Sequence, residues 1–170
     1  MDKEYWFALY VRRHHEKKTA ECLEKWGDTY FLPVQKVIRQ WSDRKKKVDV
    51  LVIPMVIFIH TTEKRRIELL SLLPSVLGTL TDHVTRKPSI IRDKEMETFM
   101  FMLNSSENTV GFTDVSFAKG DVVEVVKGPL KGLEGELQTI EGKQMVVIRI
   151  KSLGAASVEI PLEYIVKKED

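Results

Sequence analysis

The 170 residues are 43% apolar and 31% charged, enough apolar content to bury a core, so disorder is not the default expectation. No apolar run has the length a bilayer-spanning helix needs, and the longest, Val48 to Ile59, is interrupted by Asp49 and Pro54. The net charge of +2 is uneven: residues 1–110 hold 19 Lys and Arg against 15 Asp and Glu, residues 111–170 hold 8 against 10.

Met1-Asp2-Lys3-Glu4 leads straight into a strand pattern, without the layout of a signal peptide. Tyr5 to Val11 reads as a strand buried on both faces. A helix is expected over His14 to Trp26, with Ala20, Leu23 and Trp26 at helical spacing and Gly27 as the stop. Tyr30 to Trp41 is strand-like, with Val34, Lys36, Ile38 and Gln40 on one face and Val37 and Arg39 on the other. Ser42 to Lys47 reads as a polar, basic hairpin tip. Val48 to Ile59 resumes strand character, with Pro54 as a break.

Thr62 is placed to cap a helix through Leu70 that ends before Pro74. Val76 to Leu80 reads as a short strand and Arg86-Lys87-Pro88 as a loop. Asp93 and Glu95 open a further helix, whose positive dipole end favours them, and Met96, Phe99, Met100 and Leu103 form its apolar face. Asn104 to Thr109 has linker composition. Beyond it, short strand runs over 121–127, 133–141, 144–151, 157–160 and 164–166 suit a small closed barrel. The expected fold is an α+β N-terminal domain over residues 1–104, with an antiparallel sheet flanked by helices. A linker over 105–112 and an all-β barrel over 113–170 follow.

The most specific local pattern is Lys119-Gly120-Asp121-Val122-Val123-Glu124-Val125-Val126-Lys127-Gly128-Pro129-Leu130-Lys131-Gly132-Leu133-Glu134-Gly135. Pro129 presets φ for a turn, and Gly128 tolerates positive φ; Gly132 and Gly135 start the returning strand with little bulk. With Gly120 before the first strand, this segment resembles the KOW motif, found in RNA-binding ribosomal proteins and in NusG-type transcription factors, and implies an SH3-like barrel. Upstream, Trp6-Phe7-Ala8-Leu9-Tyr10-Val11 with His15-Glu16-Lys17-Lys18 resembles the opening strand and helix start of the NusG N-terminal domain. Phe31-Leu32-Pro33, Ile53-Pro54-Met55-Val56-Ile57-Phe58-Ile59 and Arg86-Lys87-Pro88-Ser89-Ile90-Ile91-Arg92 resemble later segments of that domain in the right order. The texture is most similar to the specialised UpxY-type paralogues of the Bacteroidetes, which promote transcription through long operons. Met55-Val56 stands where the family commonly has Gly-Tyr.

The resemblance implies a transcription elongation and antitermination factor that binds the clamp helices of the largest RNA polymerase subunit and raises processivity. The residues it assigns to that contact are Trp6, Ala8, Tyr10, Ile53, Pro54, Val56, Phe58, Met96 and Met100. From the residues alone, core packing has about half the weight for such a stripe, because most aromatic stripes are core. Arg12, Arg13, His14 and Arg44-Lys45-Lys46-Lys47 are candidate contacts to upstream or non-template DNA, beside the plainer reading of solvated charge. Leu153 is the candidate contact of the KOW domain with a small-subunit ribosomal protein or a termination factor, beside a role capping the barrel.

His14, His15 and Glu16 are adjacent, so their side chains diverge, and no metal or other cofactor is expected. The single cysteine, Cys22, excludes an internal disulfide and fits a reducing cytoplasm, and its acidic neighbours Glu21 and Glu24 favour an inert thiol. No catalytic constellation is visible, so a non-enzymatic role is expected. The competing reading, a ribosome-associated RNA-binding KOW protein, requires a basic barrel, which the charge split disfavours. Gly128, Gly132, Gly135, Gly142 and Gly154 disfavour a helical resting state over residues 111–170, each by about 1 kcal/mol.

Overall fold

The computed structural model describes residues 2–114 and 118–169. Contacts divide the chain into two compact units. One takes the chain up to Pro33, Ile53–Met96 and Lys151–Leu153; the other takes Val34–Val52, Glu97–Ile150 and the chain from Gly154 onward.

The first unit opens with β1 (Glu4–Val11), α1 (Glu16–Lys25) and β2 (Thr29–Phe31). The second unit supplies β3 (Val34–Gln40) and β4 (Lys45–Leu51), and the first resumes with β5 (Val56–Thr62), α2 (Glu63–Leu72) and β6 (Val76–Thr79). Four strands form a sheet in the order β2-β5-β1-β6, with β1 antiparallel to both β5 and β6. Apolar residues on both parities of β1 put a core on each face. Phe7, Leu9 and Val11 pack with Ile57 and Ile59 against Ala20 and Leu23 of α1 and Leu69 of α2. Ala8, Val56 and Phe58 point to the opposite face and are equally buried.

α1 starts at Glu16 rather than at His14. His14 sits at φ 69°, where a helix cannot begin, and donates its N–H to the Glu16 carboxylate at 2.9 Å. Trp26 is the C-cap, one residue past the helix, and is 45% exposed instead of lying on the buried face. Thr62 caps α2 as expected, its hydroxyl accepting from Arg65 N at 3.1 Å. The expected strand over Tyr30 to Trp41 is cut at Leu32-Pro33 into β2 and β3, because Pro cannot continue a ladder.

β3 and β4 form a two-stranded ribbon. Its turn is only Ser42-Asp43, so Lys45, Lys46 and Lys47 lie in a strand, paired with Gln40, Arg39 and Ile38, instead of in a loop.

α3 (Asp93–Ser105) runs from the first unit into the second. It takes in Asn104 and Ser105, which the sequence places in the linker. Its buried residues are Met96, Phe99, Met102 and Leu103. Met100 is half-buried, so the apolar face is centred slightly to one side of the expected stripe.

The second unit then carries β7 (Gly111–Thr113), β8 (Asp121–Val125), β9 (Glu134–Ile140), β10 (Lys143–Ile150), β11 (Gly154–Glu159) and, after a 3-10 turn at Leu162–Tyr164, β12 (Ile165–Lys167). They form one antiparallel sheet in the order β12-β8-β9-β10-β11-β7. β7 is a sixth strand beyond the five expected; three residues opening on glycine give no strand signal of their own.

The turn between β8 and β9 explains its glycines. Gly132 lies at φ +95° and donates to Val125 O at 2.7 Å, a conformation that favours glycine. Gly135 serves close approach: a Cβ there would lie 2.8 Å from both Val146 Cγ1 and Val147 O of β10. Gly128 also has positive φ, and Gly120 donates to the Glu136 carboxylate at 3.0 Å.

Candidate functional site

Pairing of β1 with β5 places Trp6 opposite His60, Ala8 opposite Phe58 and Tyr10 opposite Val56. β2 adds Phe31 beside Phe58, with ring centroids 6.2 Å apart. The residues that the sequence assigns to one patch on these strands therefore do share one sheet face. Trp6 lies 5.1 Å from the His60 ring and bridges to Ile91.

Burial divides the candidate set. Ala8, Ile53, Val56, Phe58 and Met96 are buried, whereas Trp6 and Met100 are half-buried. Tyr10 is 39% exposed and Pro54 is also exposed. Beside Pro54, Met55 adopts φ 65° and is 38% exposed. The exposure of Met55 puts a flexible apolar side chain in the turn next to Tyr10's strand partner. Burial pushes the Tyr10 hydroxyl's pKa up from its ordinary value.

Arg12, Arg13 and His14 follow β1 and are all exposed. Arg12 anchors the turn, donating its N–H to Ser75 O at 2.9 Å. It also lines a cleft of about 290 Å³ with His15, Lys18, Cys22, Trp26 and Leu72–Ser75. The contribution of Lys18, Trp26 and Leu72–Ser75 was not visible in sequence, because α1 meets the end of α2 only in the folded unit. Thr19 also lines the cleft, and its hydroxyl lies 2.7 Å from the Ser75 hydroxyl. Arg65 holds Asp28 with two bonds of 2.9 and 2.8 Å and lies 5.9 Å from the Trp26 ring centroid, which fixes that wall.

Arg44, Lys45, Lys46 and Lys47 are exposed on the ribbon, together with Arg39. Among the described residues none of these five cations has an acidic partner at ion-pair distance. The ribbon's root is held by Gln35, 3% exposed. Its amide donates to Asn108 O at 2.9 Å and accepts from Val110 N at 2.8 Å.

In the C-terminal sheet, Glu136 is held by Arg149 at 2.6 Å, and this guanidinium keeps its carboxyl below the usual range. Leu153 is half-buried in the turn between β10 and β11. Pro129 and Leu130 of the glycine-rich turn, with Lys127 and Tyr164, form part of the lining of a cleft of about 210 Å³. Among the described residues no group of three His, Cys, Asp or Glu side chains is placed to hold a metal ion. No described helix is long and apolar enough to cross a membrane.

Residues 4–100 match the family described as transcription termination factor nusG, and residues 119–168 match the second KOW domain of transcription elongation factor SPT5. The transcription termination/antitermination protein NusG of Streptococcus pyogenes serotype M3 is 24% identical over 166 residues, covering 90% of this chain and 89% of its own. The serotype M1 protein matches to the same extent. A solved structure described as domain interaction in Thermotoga maritima NusG superposes with a TM-score of 0.51 at 19% identity, covering 98% of each chain, and so shares the fold. A family match over more than half of the chain, followed in order by a KOW-type match on the C-terminal sheet, settles the family: the chain belongs to the NusG family of transcription termination and antitermination factors.

Proposed function

We propose that this chain is a non-catalytic elongation and antitermination factor that docks on RNA polymerase through its N-terminal domain, residues 1–104, and raises processivity. The docking surface is the end of the β1–β5 face where Tyr10, Pro54 and Met55 emerge, with half-buried Trp6 further along the same face; Ala8, Ile53, Val56, Phe58 and Met96 are buried and offer no contact area of their own. The observation that carries this reading is the strand register, which gathers Trp6, Ala8, Tyr10, Val56 and Phe58 on one face and leaves Tyr10, Pro54 and Met55 exposed at one end of it. Exposed aromatic and Met side chains beside a preformed sheet suit a helical partner such as a clamp-helix tip. Processivity then follows as a population shift: the factor binds the active polymerase better than the paused one.

Arg12, Arg13, His14 and Arg44–Lys47 supply contacts to upstream or non-template DNA, supported by their exposure and, for Arg44–Lys47, by the lack of an acidic partner among the described residues. The KOW domain, residues 113–170, recruits a second partner through Leu153 at raised effective concentration, joined by residues 105–112. The cytoplasm is the compartment this work requires.

The test is a pull-down with purified polymerase core, comparing the wild type with Tyr10→Ala/Met55→Ala. Both side chains are exposed, so the variant is expected to fold. Retention of the wild type and loss of the variant supports the docking surface. Full retention of the folded variant contradicts it, and no binding by the wild type contradicts the function.

A further inference from the structure

We propose that β7 is a displaceable cover on the outer edge of β11, and that an extended segment of a protein partner pairs with that edge once β7 leaves. This rests on the recruitment proposed above for the KOW domain through Leu153, the residue before β11, and names the edge that gates it.

β7 is the last strand of its sheet, so without it β11 is an edge. An edge strand presents a row of backbone N–H and C=O groups on which another chain can pair. Here the cover comes from the connecting segment itself. Gly111, Phe112 and Thr113 pair with Ser157, Ala156 and Ala155. Farther along, the Asn108 side-chain amide donates to Glu159 O at 2.9 Å. Residues that the sequence assigns to a linker and to the start of the barrel therefore follow β11 from Ala155 to Glu159.

The two strands are held unequally. In β11, Ala155, Ala156 and Val158 are at most 3% exposed, so the edge is fixed. In β7, Gly111 is exposed and Phe112 and Thr113 are only half-buried. Three residue pairs with so little burial belong to the low-stability end of the fold, and a longer strand that forms the same ladder displaces them. The seat is shaped for a strand. Gly154 opens β11, and a Cβ there would collide with Thr113 O and lie 2.9 Å from Cε1 and Cζ of Phe112. Release also has a pivot. Val110 is 4% exposed, and Gln35 accepts its N–H at 2.8 Å. β7 swings out beyond that point while the segment before it stays in place. Protection of the edge alone would need only the pairing; weak burial of β7 against a fixed β11 favours exchange.

The experiment uses the full chain and a fluorescein-labelled synthetic peptide copying residues 108–114, Asn-Thr-Val-Gly-Phe-Thr-Asp, as the strand probe. Anisotropy compares the wild type, Phe112→Ala, and a lock carrying Gly111→Cys and Ser157→Cys in a Cys22→Ser background. The lock suits disulfide geometry, because the two residues are antiparallel partners and a Cβ at Gly111 would lie 3.4 Å from Ser157 Oγ. The wild type is expected to bind the peptide weakly. Phe112→Ala loosens the cover without altering β11 and is expected to bind roughly tenfold more tightly, since apparent affinity scales with the uncovered fraction. Oxidation of the lock is expected to weaken binding by at least about tenfold, and reduction restores it. Absence of binding by Phe112→Ala, or equal binding by the oxidised and reduced lock, overturns the proposal. So does a doubled mass of Phe112→Ala in light scattering, because the edge then serves a second copy of this chain. The assay contains no partner of Leu153, so failure of the recruitment reading and failure of this one are read separately.

Discussion

The β1–β5 pair and the β3–β4 ribbon are both antiparallel two-strand ladders of similar length, yet they differ in nearly every physical respect. In the first, both side-chain parities are apolar, and Phe7, Leu9, Ile57 and Phe58 are almost wholly withdrawn from water. In the second, the half nearest the turn exposes Ile38, Arg39, Trp41 and four consecutive cations. An isolated two-stranded ribbon is marginal in water, so its persistence here depends on a held root and not on its tip. The contrast separates two uses of one secondary structure. Burial on both faces makes β1–β5 a scaffold, with function confined to the end where Tyr10 and Met55 emerge, whereas the ribbon carries no core at its tip and is free to carry contacts.

This contrast fixes an order of mutational effects. The largest is expected for Phe7→Ala, which empties a fully packed site under α1 and α2 and costs about 3–5 kcal/mol, read as a fall in the urea midpoint. A loss below about 1 kcal/mol would mean that this face is not the core.

Glu136→Gln is expected to have an intermediate effect, because it weakens a charge-assisted pair with Arg149 and the bond from Gly120 N. The sign with pH follows from the lowered folded-state pKa of Glu136. Its stabilisation is present above the ordinary carboxylate value of 4.5 and is lost as pH falls through the folded-state value. The wild-type C-terminal sheet should therefore lose stability on acidification through that range, and Glu136→Gln should lose less. Parallel acid profiles for the two proteins would remove Glu136 from the account.

The smallest effect is expected for Trp41→Ala, within about 0.5 kcal/mol of wild type in the same urea assay, since an exposed ring supports no packing. A large destabilisation would show that the ribbon tip has a core after all and would erase the contrast.

The sequence made the scaffold side of this contrast the easier to read. Dense apolar residues in Trp6 to Val11, the cap at Thr62 and the glycine spacing from Gly128 to Gly135 are local signals with local causes, and the structure agrees with each. Failures occurred where tertiary context decides. His14 adopts a left-handed backbone that the helical spacing around it does not announce, and α1 begins late. β7 is too short to announce itself and exists because β11 offers an edge. Lys45–Lys47 look like loop residues, yet register with Ile38 to Gln40 draws them into a strand. The same limit applied to the candidate site. Alternation grouped Trp6, Ala8 and Tyr10, but only the three-dimensional packing shows that Ala8 is buried and Tyr10 is not.

The most direct measurement is the affinity of purified RNA polymerase core for three full-length proteins side by side: wild type, Tyr10→Ala/Met55→Ala and Trp41→Ala. The account predicts tight binding by the wild type and by Trp41→Ala, and a marked loss for the Tyr10/Met55 variant. Equal affinity of all three, or a loss confined to Trp41→Ala, would contradict it.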